Sequence, residues 1–204
     1  MCHGSVSCVR TEGAPPPTRR LADVLVAAIR EATAAELAER GYAGVTFEGV
    51  ARRARTSKPV LYRRYRSRAH LVADALTALL LADPPVTTTG TLRGDLVATL
   101  LPQTELARRI GGENFRALLG EADDTLVSES VALNIGRVVD AVRTAIGAAV
   151  ARGELGPGTI PDRAILAPVI LLRTTMMWSS TPPATEVERV VDDVALPLFR
   201  QLAG

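Results

Sequence analysis

Between Thr46 and Leu71 the chain reads TFEGVARRARTSKPVLYRRYRSRAHL, and its functional groups are of one kind. Lys58, Arg63, Arg64, Arg66 and Arg68 are cations, Tyr62 carries a phenol, and Thr56 and Ser57 carry short hydroxyls. From Val50 to Ala73 eight Lys and Arg side chains stand without one Asp or Glu. A solvated face on an ordinary helix would interleave acids, so that residues four apart can pair. Lysine and arginine can donate to guanine O6 and N7, and Pro59 or Val60 can touch a thymine methyl. Tyr62 and the flanking arginines can donate to phosphate oxygens. The chemistry open to this set is recognition of DNA rather than bond making.

Short helices are needed to hold these groups. Thr46 can cap the first, its hydroxyl accepting from a backbone N–H two or three residues on, and Val50, Ala51 and Ala54 form its buried side. After a tight break at Arg55-Thr56, Thr56 or Ser57 caps the next helix, and Pro59 sits in its first turn, where a missing N–H costs nothing. On that helix Leu61 and Tyr65 are four apart and face inward, leaving Lys58, Pro59, Tyr62 and Arg63 on the opposite side. Two short helices with such a break make a helix-turn-helix, whose second helix enters the major groove.

The spacing of Val26, Ile29, Ala32, Thr33 and Leu37 predicts a long preceding helix over 18–40. Gly41 is placed to stop it in the left-handed conformation. Ser67 caps a fourth helix running to about Leu81, which Asp83-Pro84-Pro85 ends. The second half divides into helices at about 91–108, 113–120, 123–152, 162–180 and 184–202. The breaks fall at Gly111-Gly112, from Gly153 to Pro161 and at Pro182-Pro183. Pro102, Pro168 and Pro197 fall inside these helices and should kink or shorten them.

The composition is 47% hydrophobic but only 3% aromatic, so the core is built largely of Ala, Leu and Val, and an all-α fold follows. The net charge of +2 conceals a division. Residues 17–72 hold 12 basic and 5 acidic side chains, whereas residues 73–204 hold 11 basic and 16 acidic. That is the pattern of a polyanion-binding module on a carrier that stays off the polyanion. No apolar run approaches the roughly 20 residues that span a bilayer, and the first 17 residues lack the apolar block of a signal peptide. A cytoplasmic location is expected. Cys2 and Cys8 are the only cysteines, so no disulfide framework is implied, and with His3 they make a poor metal site on a Gly-, Ser- and Pro-rich tail. No cofactor is expected.

The stretch from Ile29 to Leu76 resembles the N-terminal signature of the TetR/AcrR family of helix-turn-helix transcriptional regulators. The matching features are the Gly41-Tyr42 turn, the Thr46 cap, Val50-Ala51, the Ser57-Lys58 start, Leu61-Tyr62, the aromatic Tyr65 and the basic Arg68. The likeness implies that Thr46 and Tyr62 bind phosphate, that Lys58, Pro59, Val60 and Arg63 face the bases, and that Thr56, Ser57 and Arg64 belong to the same surface. Arg68 would hold a phosphate at the start of helix four, and Arg19-Arg20 would form an N-terminal arm. Two departures stand in the turn: Arg55 replaces the family's usual Gly, and Thr56 an apolar residue. Beyond this stretch the likeness is looser, in LRGDL from Leu92 and ARGEL from Ala151.

The domains implied are a tail over 1–17, a three-helix DNA-binding domain over 18–74 and a helical effector-binding and dimerisation domain over 75–204. The family mechanism is a homodimer, joined through its last two helices, on a near-palindromic double-stranded operator. A small-molecule effector releases it, so the protein is read as a repressor. Phe115, Leu118, Arg173, Met176, Met177 and Trp178 are candidates for an effector pocket, although Met and Trp at such positions more often fill cores. Arg173, an arginine in an apolar helix, could pair with an acidic ligand or with Asp140. The alternatives are a constitutive DNA-binding protein without a ligand switch, favoured by a solid carrier core, and a helical enzyme. For the enzyme no phosphate loop, metal-spaced carboxylates or nucleophile elbow is found. Glu121, Asp123 and Asp124 read as a helix start rather than a catalytic pair.

Overall fold

The computed structural model describes residues 17–82, 88–179, 183 and 185–204, and within them all side chains except those of 17–20, 130, 131, 134, 176 and 177. The expected tail and the Asp83-Pro84-Pro85 break lie outside the described residues. Among those described the chain is helical throughout, with no strand. The helices are α1 (Pro17–Gly44), α2 (Phe47–Arg53), α3 (Lys58–Arg64), α4 (Arg68–Ala82), α5 (Leu92–Ile110), α6 (Gly112–Glu121), α7 (Asp124–Ala151) and α8 (Asp162–Trp178). The chain ends in α9 (Glu186–Val190), a π turn (Val191–Ala195) and α10 (Leu196–Ala203).

Two apolar cores hold these helices. In the first, Ile29, Ala32 and Leu37 of α1 pack with Val50 of α2, Leu61 of α3 and Leu71 and Val72 of α4, and Leu118 and Leu126 close it from α6 and α7. In the second, Leu96 and Leu100 of α5 meet Val142 and Ala149 of α7, Ile165 and Val169 of α8, and Phe199 of α10. α4 packs along α1 and also against α5, α6 and α7, so the helix that follows the helix-turn-helix is shared with the carrier.

Gly41 does take a positive φ (67°), but with an extended ψ (176°), and one more helical turn follows to Gly44. Few residues other than glycine tolerate that backbone. The Tyr42 N–H that it leaves free donates to Asn114 Oδ1 of α6 at 2.7 Å. Pro102 and Pro168 lie inside continuous α5 and α8 and end neither. Pro197 does not shorten the last helix either. It cannot donate to the carbonyl four residues back, and the helix just before it widens into the π turn, where Leu196 N–H reaches Val191 O.

The two motifs of the carrier meet in space. Asp95 of LRGDL is buried, accepts from the Thr89 backbone N–H and the hydroxyls of Thr88 and Thr89, and pairs with Arg152 of ARGEL at 3.2 Å. Glu154 in turn accepts the Leu92 N–H at the start of α5 (2.8 Å). Burial pushes the Asp95 carboxyl up, but the Thr89 backbone and hydroxyl, Arg152 and Thr88 outweigh it and hold the group below the ordinary carboxylate range.

Candidate nucleic-acid interface and internal cavity

The ends of the helix pair follow their residues except at the start of α3. Thr46 caps α2, its Oγ1 accepting from Gly49 N–H at 3.0 Å. α2 ends in a Schellman motif: Arg55 N–H donates to Arg52 O and Thr56 N–H to Ala51 O, with Arg55 at φ 52°. Arg55 thus adopts the left-handed conformation in which glycine is usual, at a cost of roughly 1 kcal/mol. Contrary to expectation no side chain caps α3: Ser57 stands at its start without a cap bond, because Pro59 has no N–H to offer and the Val60 N–H turns to Ser57 O at 3.1 Å. His70 N–H donates to Ser67 Oγ at 3.3 Å, the cap of α4.

Leu61, with no exposed surface, and the buried Tyr65 root α3 in the core. Lys58, Pro59, Tyr62, Arg63 and Arg64 are exposed, and Val60 and Thr56 are half-buried. Tyr62, 62% exposed, is held upright by Phe47, with ring centroids 4.5 Å apart and planes within 6°. Phe47 carries no signal in the sequence beyond being an aromatic that opens α2. Among the described residues Arg55, Arg63 and Arg66 make no ion pair, so their charges face solvent.

Acids from outside the basic stretch claim some of its cations. Lys58 Nζ pairs with Glu48 Oε2 at 2.7 Å, and Arg53 with Glu36 and Glu39. Glu36, only 2% exposed, also pairs with Arg40, and its Oε2 lies where a side chain on Gly49 would have to go. Arg68, expected at a phosphate, bonds Glu121, donates to Ala43 O and lies over the Tyr42 ring at 4.7 Å. The end of α6 brings Glu121 there, a meeting that local spacing does not reveal. Arg19 and Arg20 lie in the first turn of α1, and their side chains are outside the described set.

α6 joins the interface to the carrier. Tyr42 Oη donates to Glu121 at 2.9 Å, and burial, then Glu121, push the phenol up to about 12. Asp123 caps α7 by accepting from Leu126 N–H at 2.7 Å, and it lies 3.7 Å from His70. The acidic trio is therefore one latch residue and a helix start. At the other end of α3, Tyr65 Oη donates to Asp74, which Arg30 holds with two bonds of 2.9 and 2.7 Å.

Behind α6 lies a cavity of about 130 Å³ walled by α4, α5, α6, α7 and α8. Its lining is apolar, with Leu76, Leu100, Phe115, Leu118 and Val169 among its walls and Arg173 as the one charged group among the described residues. Of the residues expected at a pocket, Phe115, Leu118 and Arg173 line this cavity. Trp178 does not: five residues past Arg173 its side chain points away, and it is 82% exposed. The side chains of Met176 and Met177 lie outside the described set. Asp140 is not Arg173's partner, because it is exposed and pairs with Arg143 at 3.4 Å. The walls supplied by α4, α5 and α7 were not legible as such, since a cavity is a product of packing. Among the described residues no helix is long and apolar enough to cross a membrane, and no three His, Cys, Asp or Glu side chains cluster to hold a metal.

Comparison with known proteins places this architecture. Residues 29–75 match the family model "Bacterial regulatory proteins, tetR family", and residues 86–194 match "Tetracyclin repressor-like, C-terminal domain". An uncharacterised HTH-type transcriptional regulator of Mycobacterium tuberculosis is 34% identical over 181 residues, 82% of this chain and 84% of the relative. A DNA-binding transcriptional repressor, TetR, of Mycobacteroides abscessus is 30% identical over 166 residues, 78% of this chain and 86% of that protein. The crystal structure of a TetR-family regulator from Rhodococcus sp. superposes with a TM-score of 0.61 at 21% identity, over 85% of this chain and 99% of that one, a likeness of fold.

Proposed function

The chain belongs to the TetR family of bacterial regulatory proteins, helix-turn-helix proteins that bind DNA and regulate transcription, and we propose that it is a dimeric repressor which a small molecule releases from a near-palindromic operator. The observation that carries this reading is α3, rooted by Leu61 and presenting Lys58, Pro59, Tyr62 and Arg63 to solvent. Lys58, Pro59, Val60 and Arg63 read the bases, and Thr46, Thr56, Ser57, Tyr62 and Arg64 hold phosphates. Arg19-Arg20 serve as an arm, and Arg68 reaches a phosphate only if it leaves Glu121. The DNA-binding unit is 18–74, and 75–204 binds effector and dimerises. Working on DNA places the protein in the cytoplasm.

Two further features support the finer parts of the proposal. α8 leaves Ile170, Leu171 and Trp178 exposed, an apolar face fit for a second copy packing through α8 and the run from α9 to α10, the last two helices of the sequence reading, which would set two α3 helices about 34 Å apart. The apolar cavity favours a ligand switch over a constitutive DNA-binding protein, because α6 carries both a cavity wall, through Phe115 and Leu118, and the Tyr42 latch, through Asn114 and Glu121. The Mycobacteroides abscessus relative is a repressor, which supports repression here.

The test is selection of bound sequences from a random DNA pool with the purified protein, then affinity for the selected sequence at two salt concentrations. An inverted repeat bound with steep salt dependence, weakened by Lys58→Ala and Tyr62→Phe, supports the reading. Recovery of no motif, with weak binding at all salts, overturns it.

A further inference from the structure

Half-buried arginines among the described residues include Arg30, Arg68 and Arg173. Arg30 sits on Asp74 and Arg68 on Glu121, so each buried charge is matched by a carboxylate. Arg173 has no such match. Among the described residues no acid pairs with it, and burial alone pulls its guanidinium below the ordinary arginine range. It stands on α8 beside Val169 and Leu172, and all three line the apolar cavity. A guanidinium held in an apolar wall without a counter-ion is an unfavourable arrangement that an incoming anion would relieve.

We propose that the cavity takes an apolar monocarboxylic acid, its carboxylate held by the Arg173 fork and its hydrocarbon body lying against Leu76, Phe115 and Leu118. This rests on reading the cavity as the effector site. The charge count favours a carboxylate over a phosphate, because Arg173 is the one basic group among the described residues of the lining and a dianion would be left half-neutralised. The space, about 130 Å³, is on the scale of an apolar cavity that accepts benzene, so the body is one ring or a short acyl chain unless the walls move. Thr77, also in the lining, offers a hydroxyl near the same space.

The experiment is calorimetric titration of the full chain at pH 7 with hexanoate against hexan-1-ol and phenylacetate against 2-phenylethanol, repeated on Arg173→Met and Arg173→Lys. The wild type is expected to bind an acid at least about tenfold more tightly than its alcohol. Arg173→Met should erase that preference while binding the alcohol unchanged, with a melting temperature at or above the wild type. Arg173→Lys, which keeps the charge but not the fork, should fall between. Equal binding of acid and alcohol by the wild type, a preference that survives in Arg173→Met, or no binding of any of the four probes overturns the proposal. Adding hexanoate to the protein–DNA complex separates this from the release mechanism. Acid binding through Arg173 with no loss of DNA affinity overturns release and leaves the assignment standing. Release by hexan-1-ol as readily as by hexanoate does the reverse.

Discussion

Arg63 and Arg173 are the same side chain in opposite settings. Arg63 projects from α3 into solvent with no ion pair, above a helix rooted by Leu61, whereas Arg173 faces an apolar hollow, also with no ion pair. In water an unpaired cation costs little and can meet a phosphate as it arrives; in an apolar wall the same cation selects one small partner. On the proposed reading, basic charge in this chain serves two purposes, and burial rather than residue type separates them. The DNA face spends its apolar residues on anchoring, and the carrier spends them on leaving room.

Substitutions that break the anchoring should have the largest effect. Leu61→Ala removes the buried root of α3 and should cost about 3 kcal/mol, read as a lower urea midpoint and accompanied by loss of DNA binding. Gly41→Ala should follow at roughly 2 kcal/mol, because its φ of 67° with ψ of 176° is strained for alanine and the new Cβ would meet Asn114 Oδ1 at 3.0 Å. Because it would push on Asn114 of α6, it should also loosen the proposed coupling between cavity and DNA face.

Acid sharpens the contrast from the carrier side. The Asp95 carboxyl titrates lower in the folded protein than in the unfolded chain, so its contribution is complete above the ordinary carboxylate value of about 4 and is lost as pH falls through the depressed folded value. Asp95→Ala should cost about 2 kcal/mol at pH 7 by leaving the Thr89 N–H without its acceptor and Arg152 with Glu154 and Thr88 alone. It should also flatten the acid limb of a stability–pH curve, which chemical denaturation at several pH values would check. The smallest effect is expected at Arg55→Gly, which relieves a φ of 52° and should raise stability by a few tenths to about 1 kcal/mol. Its thermal unfolding should shift upward, with DNA binding little changed.

The sequence and the structure agree most closely where interactions are local. The Thr46 and Ser67 caps and the inward pair Leu61 and Tyr65 follow from neighbours within a few positions, and the positive φ at Arg55 falls where the family resemblance puts a glycine. Contacts between distant segments were not legible. Glu121 on Tyr42 and Arg68, Glu36 on Arg53, and Asp95 on Arg152 join residues that no periodicity relates. The two looser motifs of the carrier, LRGDL and ARGEL, gain a physical meaning only once α5 and α7 bring them together. Trp178 illustrates the same limit, since its size suggested a pocket wall while its angular position on α8 sends it outward. The absence of acids from Val50 to Ala73 was likewise a partial guide, because Glu48 and Glu121 reach in from either side to Lys58 and Arg68.

The contrast between exposed and buried cations is tested most directly by the salt dependence of DNA affinity for the wild type, Arg63→Ala and Arg173→Ala, on the sequence selected from the random pool. Fluorescence anisotropy between about 50 and 200 mM salt gives the slope of log affinity against log salt. The account predicts that Arg63→Ala weakens binding and reduces the slope by about one, while Arg173→Ala leaves the slope at the wild-type value. An unchanged slope for Arg63→Ala, or an equal loss for both variants, would contradict it.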